Sequence, residues 1–124
     1  MVRLLKATGI VAMGLMLAAQ AMAADAKNGA SVFERCAICH SNTKGAPAKI
    51  GPNLFGVVGR KAGTMPDFSY SAAIKSAGFV WTADKLTAYV QHPQVVVPGN
   101  RMAFAGISSA KDSQDLVAYL ATLK

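Results

Sequence analysis

The chain has little of what usually braces a small protein. Its 124 residues include two cysteines, one tryptophan and six Asp plus Glu. Two cysteines rule out a multi-disulfide framework and a four-cysteine zinc site. No segment repeats and none is of low complexity. The basic residues form no dense run, which argues against a nucleic-acid partner. The apolar run from Ala7 to Ala19 is shorter than the roughly 20 residues a spanning helix needs.

What is present is unevenly distributed. The hydrophobic fraction is 52% and the mean hydropathy +0.31, and both owe much to residues 1–24. Arg3 and Lys6 precede the apolar run, and Ala21, Met22, Ala23 and Ala24 close it. A basic start, an apolar middle and a small-residue end describe a secretory signal peptide. The expectation is therefore a cleaved signal over 1–24, cut after Ala23 or Ala24, and one domain over 25–124 delivered to the periplasm. Of the formal net charge of +7, residues 25–124 keep about +5, which suits an acidic partner or a peripheral membrane contact. A core built from about 100 residues is modest, and such domains often need a staple or a cofactor.

Patterning predicts an all-α domain of about four helices with long loops. Ala26, Ala30, Phe33 and Ala37 share helical spacing and predict a first helix from Asp25 to about Cys39. Residues 41–70 carry too many Gly and Pro for regular elements. A short helix is expected over 71–76. Another is expected after an N-cap at Thr82, stopping before Pro93. Residues 95–106 again read as irregular. Ser108 or Ser109 is the expected cap of a last helix, with Leu116, Val117, Leu120 and Leu123 as its apolar stripe. Long irregular stretches in a compact domain are normally wrapped around something.

The sequence Cys36-Ala37-Ile38-Cys39-His40 supplies a candidate. C-x-x-C-H is the attachment pattern for c-type haem. Two thiols one helical turn apart can each add to a haem vinyl group, and His40 is then carried under the iron as a ligand. A thioredoxin-type redox pair would want a βαβ setting, and a simple disulfide would leave His40 without a task. Zinc on Cys36, Cys39, His40 and His92 would need adjacent residues in one tetrahedron. For the other side of the iron the natural candidates are Met65, Met102 and His92.

At this point the sequence resembles the class I cytochromes c of the mitochondrial and bacterial c2-like type. The blocks that carry the resemblance are 36–40, 51–54, 59–61, 68–70, Trp81, Tyr89, 98–102, 104–106 and 116–120, and they cover essentially all of residues 25–124. The resemblance implies the cytochrome c fold, with loops wrapped around one covalently bound haem c. It implies Cys36 and Cys39 as the thioether residues and His40 and Met102 as axial ligands. The Pro52 carbonyl would accept a hydrogen bond from His40, and Tyr89 would approach the Met102 sulfur. Arg60, Tyr70 and Trp81 would donate to the haem propionates. Asn100 would tie the ligand loop to a propionate or a buried water, and Phe104 would pack at the exposed haem edge. Gly29 and Phe33 would pack on the last helix near Leu116 and Tyr119.

The implied function is one-electron transport without enzymatic turnover. The implied partners are acidic docking surfaces of a bc-type complex, a terminal oxidase or a photosynthetic reaction centre, with the carrier acting as a monomer. An open-sited haem enzyme and a bis-His cytochrome using His92 are the rival readings. Three departures from relatives stand out. Arg35, Lys49 and Arg101 keep basic positions, but Ala30, Gln94, Ser108 and Ser109 are neutral where relatives tend to carry lysine, which implies weaker electrostatic steering. Ile74 stands where many relatives place a polar Asn, which implies a drier pocket. The loop from Pro93 to Met102 has no lysine that could replace the Met at high pH.

Overall fold

A computed structural model describes residues 23–124. The expected signal segment lies almost wholly outside the described residues. The described chain holds five helices: α1 (Ala26–Ala37), α2 (Ala72–Ser76), α3 (Ala83–Gln91), α4 (Pro93–Val96) and α5 (Ala110–Ala121). No strand forms among the described residues; one isolated bridge pairs Lys61 with Val80.

Each longer helix starts on a side-chain cap, which satisfies N–H groups that have no partner within the helix. Asp25 accepts from the backbone N–H groups of Lys27 and Asn28 at the start of α1. Ser71 accepts from Ile74 at α2, and Thr82 from Lys85 at α3. Ser109, not Ser108, caps α5 by accepting from Asp112. Helix α1 ends at Ala37, two residues earlier than expected, because Cys39 and His40 both donate to the Cys36 carbonyl and fold the chain into a turn. Helix α4 was not foreseen. Pro93 stops α3, but its fixed φ and missing N–H suit the first position of a new helix, so the chain bends at His92 and restarts.

The packing of α1 on α5 sets the frame. The buried face of α1 is Gly29, Val32 and Phe33, so the expected stripe is corrected: Ala30 is exposed. Gly29 sets that face. A methyl group at this position would collide with the backbone carbonyl of Asp115 and stand 2.8 Å from the Tyr119 Cβ. Phe33 packs on Tyr119 with ring centroids 5.4 Å apart. Leu116, Val117 and Leu120 are buried as expected, while Leu123 is only partly so. At the other end of the crossing, the buried Asp115 carboxylate accepts from the Asp25 backbone N–H at 2.7 Å and from Asn28 Nδ2 at 2.8 Å, and pairs with Lys111.

The long loops are held by scattered backbone hydrogen bonds in place of a sheet. Gly59 donates to the Trp81 carbonyl, and Trp81 donates to the Arg60 carbonyl, each at 2.8 Å. Asn53, almost fully buried, reaches the carbonyls of Thr43 and Ala46 and accepts the Phe55 N–H. These ties matter because they place distant loop residues around one space.

Candidate cofactor site

That space is a cavity of about 700 Å³. Its walls come from the end of α1, the loops 50–60 and 68–71, helix α3, the loop 100–104 and one side of α5. Cavities of roughly 300–1,000 Å³ are the size that encloses a small ligand or cofactor. Every residue to which the resemblance gives a role at the haem lines it: Cys36, Cys39, His40, Pro52, Arg60, Tyr70, Trp81, Tyr89, Asn100, Met102 and Phe104. Sequence reasoning did not single out Leu54, Val57, Leu86, Leu116 and Leu120 as site residues, yet they form much of the apolar wall. Only the α5 stripe offered a signal for the last two.

The two thiols are free and half-buried; the last turn of α1 sets Cys36 at the cavity wall and the turn that follows sets Cys39 there. Burial pushes the Cys36 thiol up, against the lowering effect of Arg35. His40 is held more firmly. Its Nδ1 lies 2.7 Å from the Pro52 carbonyl oxygen. A carbonyl only accepts, so Nδ1 carries the hydrogen and Nε2 keeps a free lone pair. Burial, reinforced by Lys49 and Arg60, lowers the imidazole pKa despite that hydrogen bond, which favours the neutral ring. The ring rests on Gly51, where a Cβ would come within 2.7 Å of Nδ1. Gly51 is thus the cradle that lets the imidazole lie against its own loop.

Met102 reaches the cavity from a different segment. The Tyr89 hydroxyl stands 3.9 Å from its sulfur. Burial pushes that phenol up to about 12, so it remains a donor at any physiological pH. Tyr89 is itself fixed by Trp81, with centroids 4.8 Å apart, and Trp81 by Phe79, also at 4.8 Å. His92 is placed elsewhere. It is exposed and lines a separate cleft of about 190 Å³ with Pro93, Gln94, Val95, Phe104 and Ala105. Met65 lines neither space.

The charged lining is one-sided. Arg35, Arg60 and Arg101 contribute, and no Asp or Glu does. Arg60 donates to the carbonyls of Asn53 and Phe55, and burial lowers its pKa. Tyr70 accepts from the Met65 N–H, which leaves its own hydroxyl hydrogen available to the cavity. One expectation is revised here. Both Nδ2 hydrogens of Asn100 are engaged, by the carbonyls of Pro93 and Val97, each at 2.9 Å. Its oxygen accepts the Met102 N–H at 2.9 Å. Asn100 therefore ties the loop to itself, with no donor left for a propionate. No group of three or more His, Cys, Asp or Glu residues that could hold a bare metal ion occurs among the described residues.

The residues fit haem on these grounds. The cavity is apolar where a porphyrin would lie and cationic, without competing carboxylates, where anionic substituents would be neutralised. It offers two thiols, one lone pair on a neutral imidazole and one thioether sulfur, a donor set suited to iron.

Comparison with known proteins agrees. Residues 26–124 match the family model described as cytochrome c. The chain is 46% identical over 101 residues to cytochrome c of Euglena viridis, covering 81% of this chain and 98% of that protein. It is 44% identical over 99 residues to cytochrome c2 of Agrobacterium tumefaciens strain II Chrys, covering 77% of this chain and 89% of the relative. Among solved structures, cytochrome cH from Methylobacterium extorquens superposes with a TM-score of 0.74 at 38% identity, covering 79% of this chain and 98% of that one. With the family model matched over residues 26–124 and relatives 44–46% identical along most of their length, the chain belongs to the cytochrome c family.

Proposed function

We propose that the protein is an exported one-electron carrier in which Cys36 and Cys39 hold haem c covalently and His40 and Met102 ligate its iron. The observation that carries this reading is the His40 Nδ1–Pro52 hydrogen bond of 2.7 Å, which leaves Nε2 as a free lone pair in the cavity that Met102 also lines. When bound, haem supplies a one-electron Fe(II)/Fe(III) couple. The chain's residues orient and tune it. Pro52 fixes the imidazole ring and raises its basicity as a ligand. Tyr89 restrains the Met102 side chain, whose thioether raises the reduction potential relative to a second imidazole. Arg60, Tyr70 and Trp81 supply donors for the propionates. Leu54, Val57, Ile74 and Leu86 keep water out.

If His40 and Met102 both held the iron, no coordination position would be left for a substrate, which supports a carrier without catalytic turnover. No helix of the described residues is long and apolar enough to cross a membrane. The basic, apolar and small-residue order of segment 1–24 supports export to the periplasm, which N-terminal sequencing of the secreted protein tests. The net charge of about +5 over residues 25–124 supports partners with acidic docking surfaces, such as a bc-type complex, a terminal oxidase or a photosynthetic reaction centre.

Met102→Ala tests the ligand assignment. The variant should lose the near-infrared Met–iron band, drop in reduction potential and bind carbon monoxide readily. An unchanged spectrum and potential would reject Met102. A bis-His site using His92 is not favoured, because His92 is exposed and lines the other cleft.

A further inference from the structure

Of the asparagines in the chain, Asn28 alone precedes a glycine; the others precede Thr43, Leu54 and Arg101. An asparagine before glycine is open to reaction with its own backbone. The nitrogen of the next residue attacks the side-chain carbonyl carbon, and glycine gives that nitrogen no side chain to shield it. The fold blocks this reaction in three ways. Asn28 and Gly29 lie in the first turns of α1, where a helical ψ of about −42° turns the Gly29 nitrogen away from the Asn28 side chain. The Gly29 N–H donates to the Asp25 carbonyl at 2.9 Å. Both hydrogens of Asn28 Nδ2 are engaged across the helix crossing, by Asp112 Oδ1 at 3.0 Å and Asp115 Oδ2 at 2.8 Å.

The third restraint holds the other two. A helix end opens at low free energy unless it is tied down, and α5 supplies the ties of this end. Once α1 lifts off α5, the Asn28 amide is released, the first turn frays and the Gly29 nitrogen is free to rotate. The change that follows is one-way. A carboxylate oxygen in place of Nδ2 would face Asp112 and Asp115 with no hydrogen to share. Like charges at hydrogen-bond distance repel. Lys111, the cation beside them, is already paired with Asp115. An isoaspartate would also lengthen the backbone by one methylene next to Gly29, where the Asp115 backbone leaves no space for a Cβ.

We propose that Asn28-Gly29 is a modification site gated by the α1–α5 crossing. It is silent while the helices are docked, converts to aspartate and isoaspartate once they part, and then opposes redocking. Water is the co-reactant, and nothing is oxidised or reduced. The Gly29 nitrogen bonds to Asn28 Cγ and gives up its proton, the Cγ–Nδ2 bond breaks, ammonia leaves and a five-membered imide forms. Water then adds to one imide carbonyl and opens the ring. Cleavage between Cγ and the Gly29 nitrogen gives aspartate; cleavage between the Asn28 backbone carbonyl and that nitrogen gives isoaspartate. The site thereby marks the molecules whose terminal helices have opened, whatever the cavity holds.

The haem-loaded protein is incubated at constant pH and temperature, in native buffer and over a urea series that ends in the unfolded chain. Peptide mass mapping follows the gain of one mass unit at Asn28, and isoaspartate is quantified beside exchange of the Gly29 amide hydrogen. The unfolded chain should convert at least about tenfold faster than the folded one. Phe33→Leu, which trims the ring that packs on Tyr119, should speed conversion in native buffer by the same factor as it speeds Gly29 exchange. Equal rates in the folded and unfolded chains would overturn the proposal, and so would faster exchange in Phe33→Leu without faster conversion. Should Phe33→Leu not fold, the wild-type series decides alone, since conversion must rise with urea in step with Gly29 exchange. Asn28→Asp tests the one-way change. Its urea midpoint should fall below that of Asn28→Ser, which loses the same hydrogen bonds without adding a charge. A midpoint at or above that of Asn28→Ser would overturn the proposed barrier to redocking.

Discussion

The side-chain oxygen of Asn100 accepts the backbone N–H of Met102 at 2.9 Å, while its nitrogen holds the carbonyls of Pro93 and Val97. One buried amide therefore sets the course of the loop that presents the thioether. Gln94 adds to it by donating to the Asn100 carbonyl and accepting the Gly99 N–H.

Asn100→Ala should loosen that loop before it unfolds the protein. The Met102 N–H loses its partner, and the Pro93 and Val97 carbonyls each lose one of their two donors, at a cost of about 1–3 kcal/mol. The near-infrared Met–iron band should fade at a lower temperature than helical circular dichroism, whereas the two should fade closer together in the wild type. Coincident melts in the variant would contradict this role.

Ile74 is buried against the cavity, on α2. Ile74→Asn would bring an amide into an apolar lining and remove packing, and should cost about 2–4 kcal/mol. Thermal melting of the haem-loaded variant checks it. A variant more stable than the wild type would show that the site wants a polar residue.

Gly29→Ala pits two effects against each other. Alanine raises helix propensity by about 1 kcal/mol over glycine. The added methyl group, however, meets the Asp115 backbone and the Tyr119 Cβ, and backbone in a packed helix pair gives way little. Overpacking of about 1–3 kcal/mol should win, so the denaturation midpoint falls. A raised midpoint would mean that α1 and α5 can separate freely.

The Asp115 carboxyl is held down to about 2 from its ordinary 3.8, chiefly by the Asp25 backbone N–H and then by Lys111 and Asn28. A carboxyl whose folded pKa is depressed binds protons more readily when unfolded. Its stabilising contribution is therefore complete above 3.8 and disappears as the pH falls through about 2. Asp115→Asn should melt below the wild type at pH 5, and the gap should close as the pH is lowered toward 2. A gap that stays constant over that range would show that the carboxylate charge contributes nothing there.

Features that act over a few residues are legible in the sequence. Thr82 caps α3 because a threonine hydroxyl meets an N–H three residues on, which a short window of sequence displays. In sequence Pro93 marks only a stop, although the same fixed φ that ends α3 begins α4. The α1 stripe differs from the expected one because Ala26, Ala30 and Ala37 are weakly apolar and carry little periodic signal. The face was decided by Gly29, whose value is the absence of a side chain opposite another helix. Asn53 and Asp115 passed without a role, since polar side chains give no sign of burial until their partners are known. One partner of Asp115 is the backbone of Asp25, 90 positions away.

The candidate donor set is legible in the sequence alone. C-x-x-C-H places two thiols and an imidazole within one turn, and its order and spacing with the later blocks leave few other uses for them. The sequence also determined the helical class, because capping residues and apolar periodicity act over a few residues. The tertiary structure alone decided which imidazole nitrogen faces the cavity, that His92 lies outside it, and that Asn100 holds the Met102 loop. It also decided that Ile38 and Ile50, both exposed, line the cavity. Each of these depends on hydrogen bonds and packing between segments far apart in the chain, and such contacts exist only once the loops have closed around a common interior.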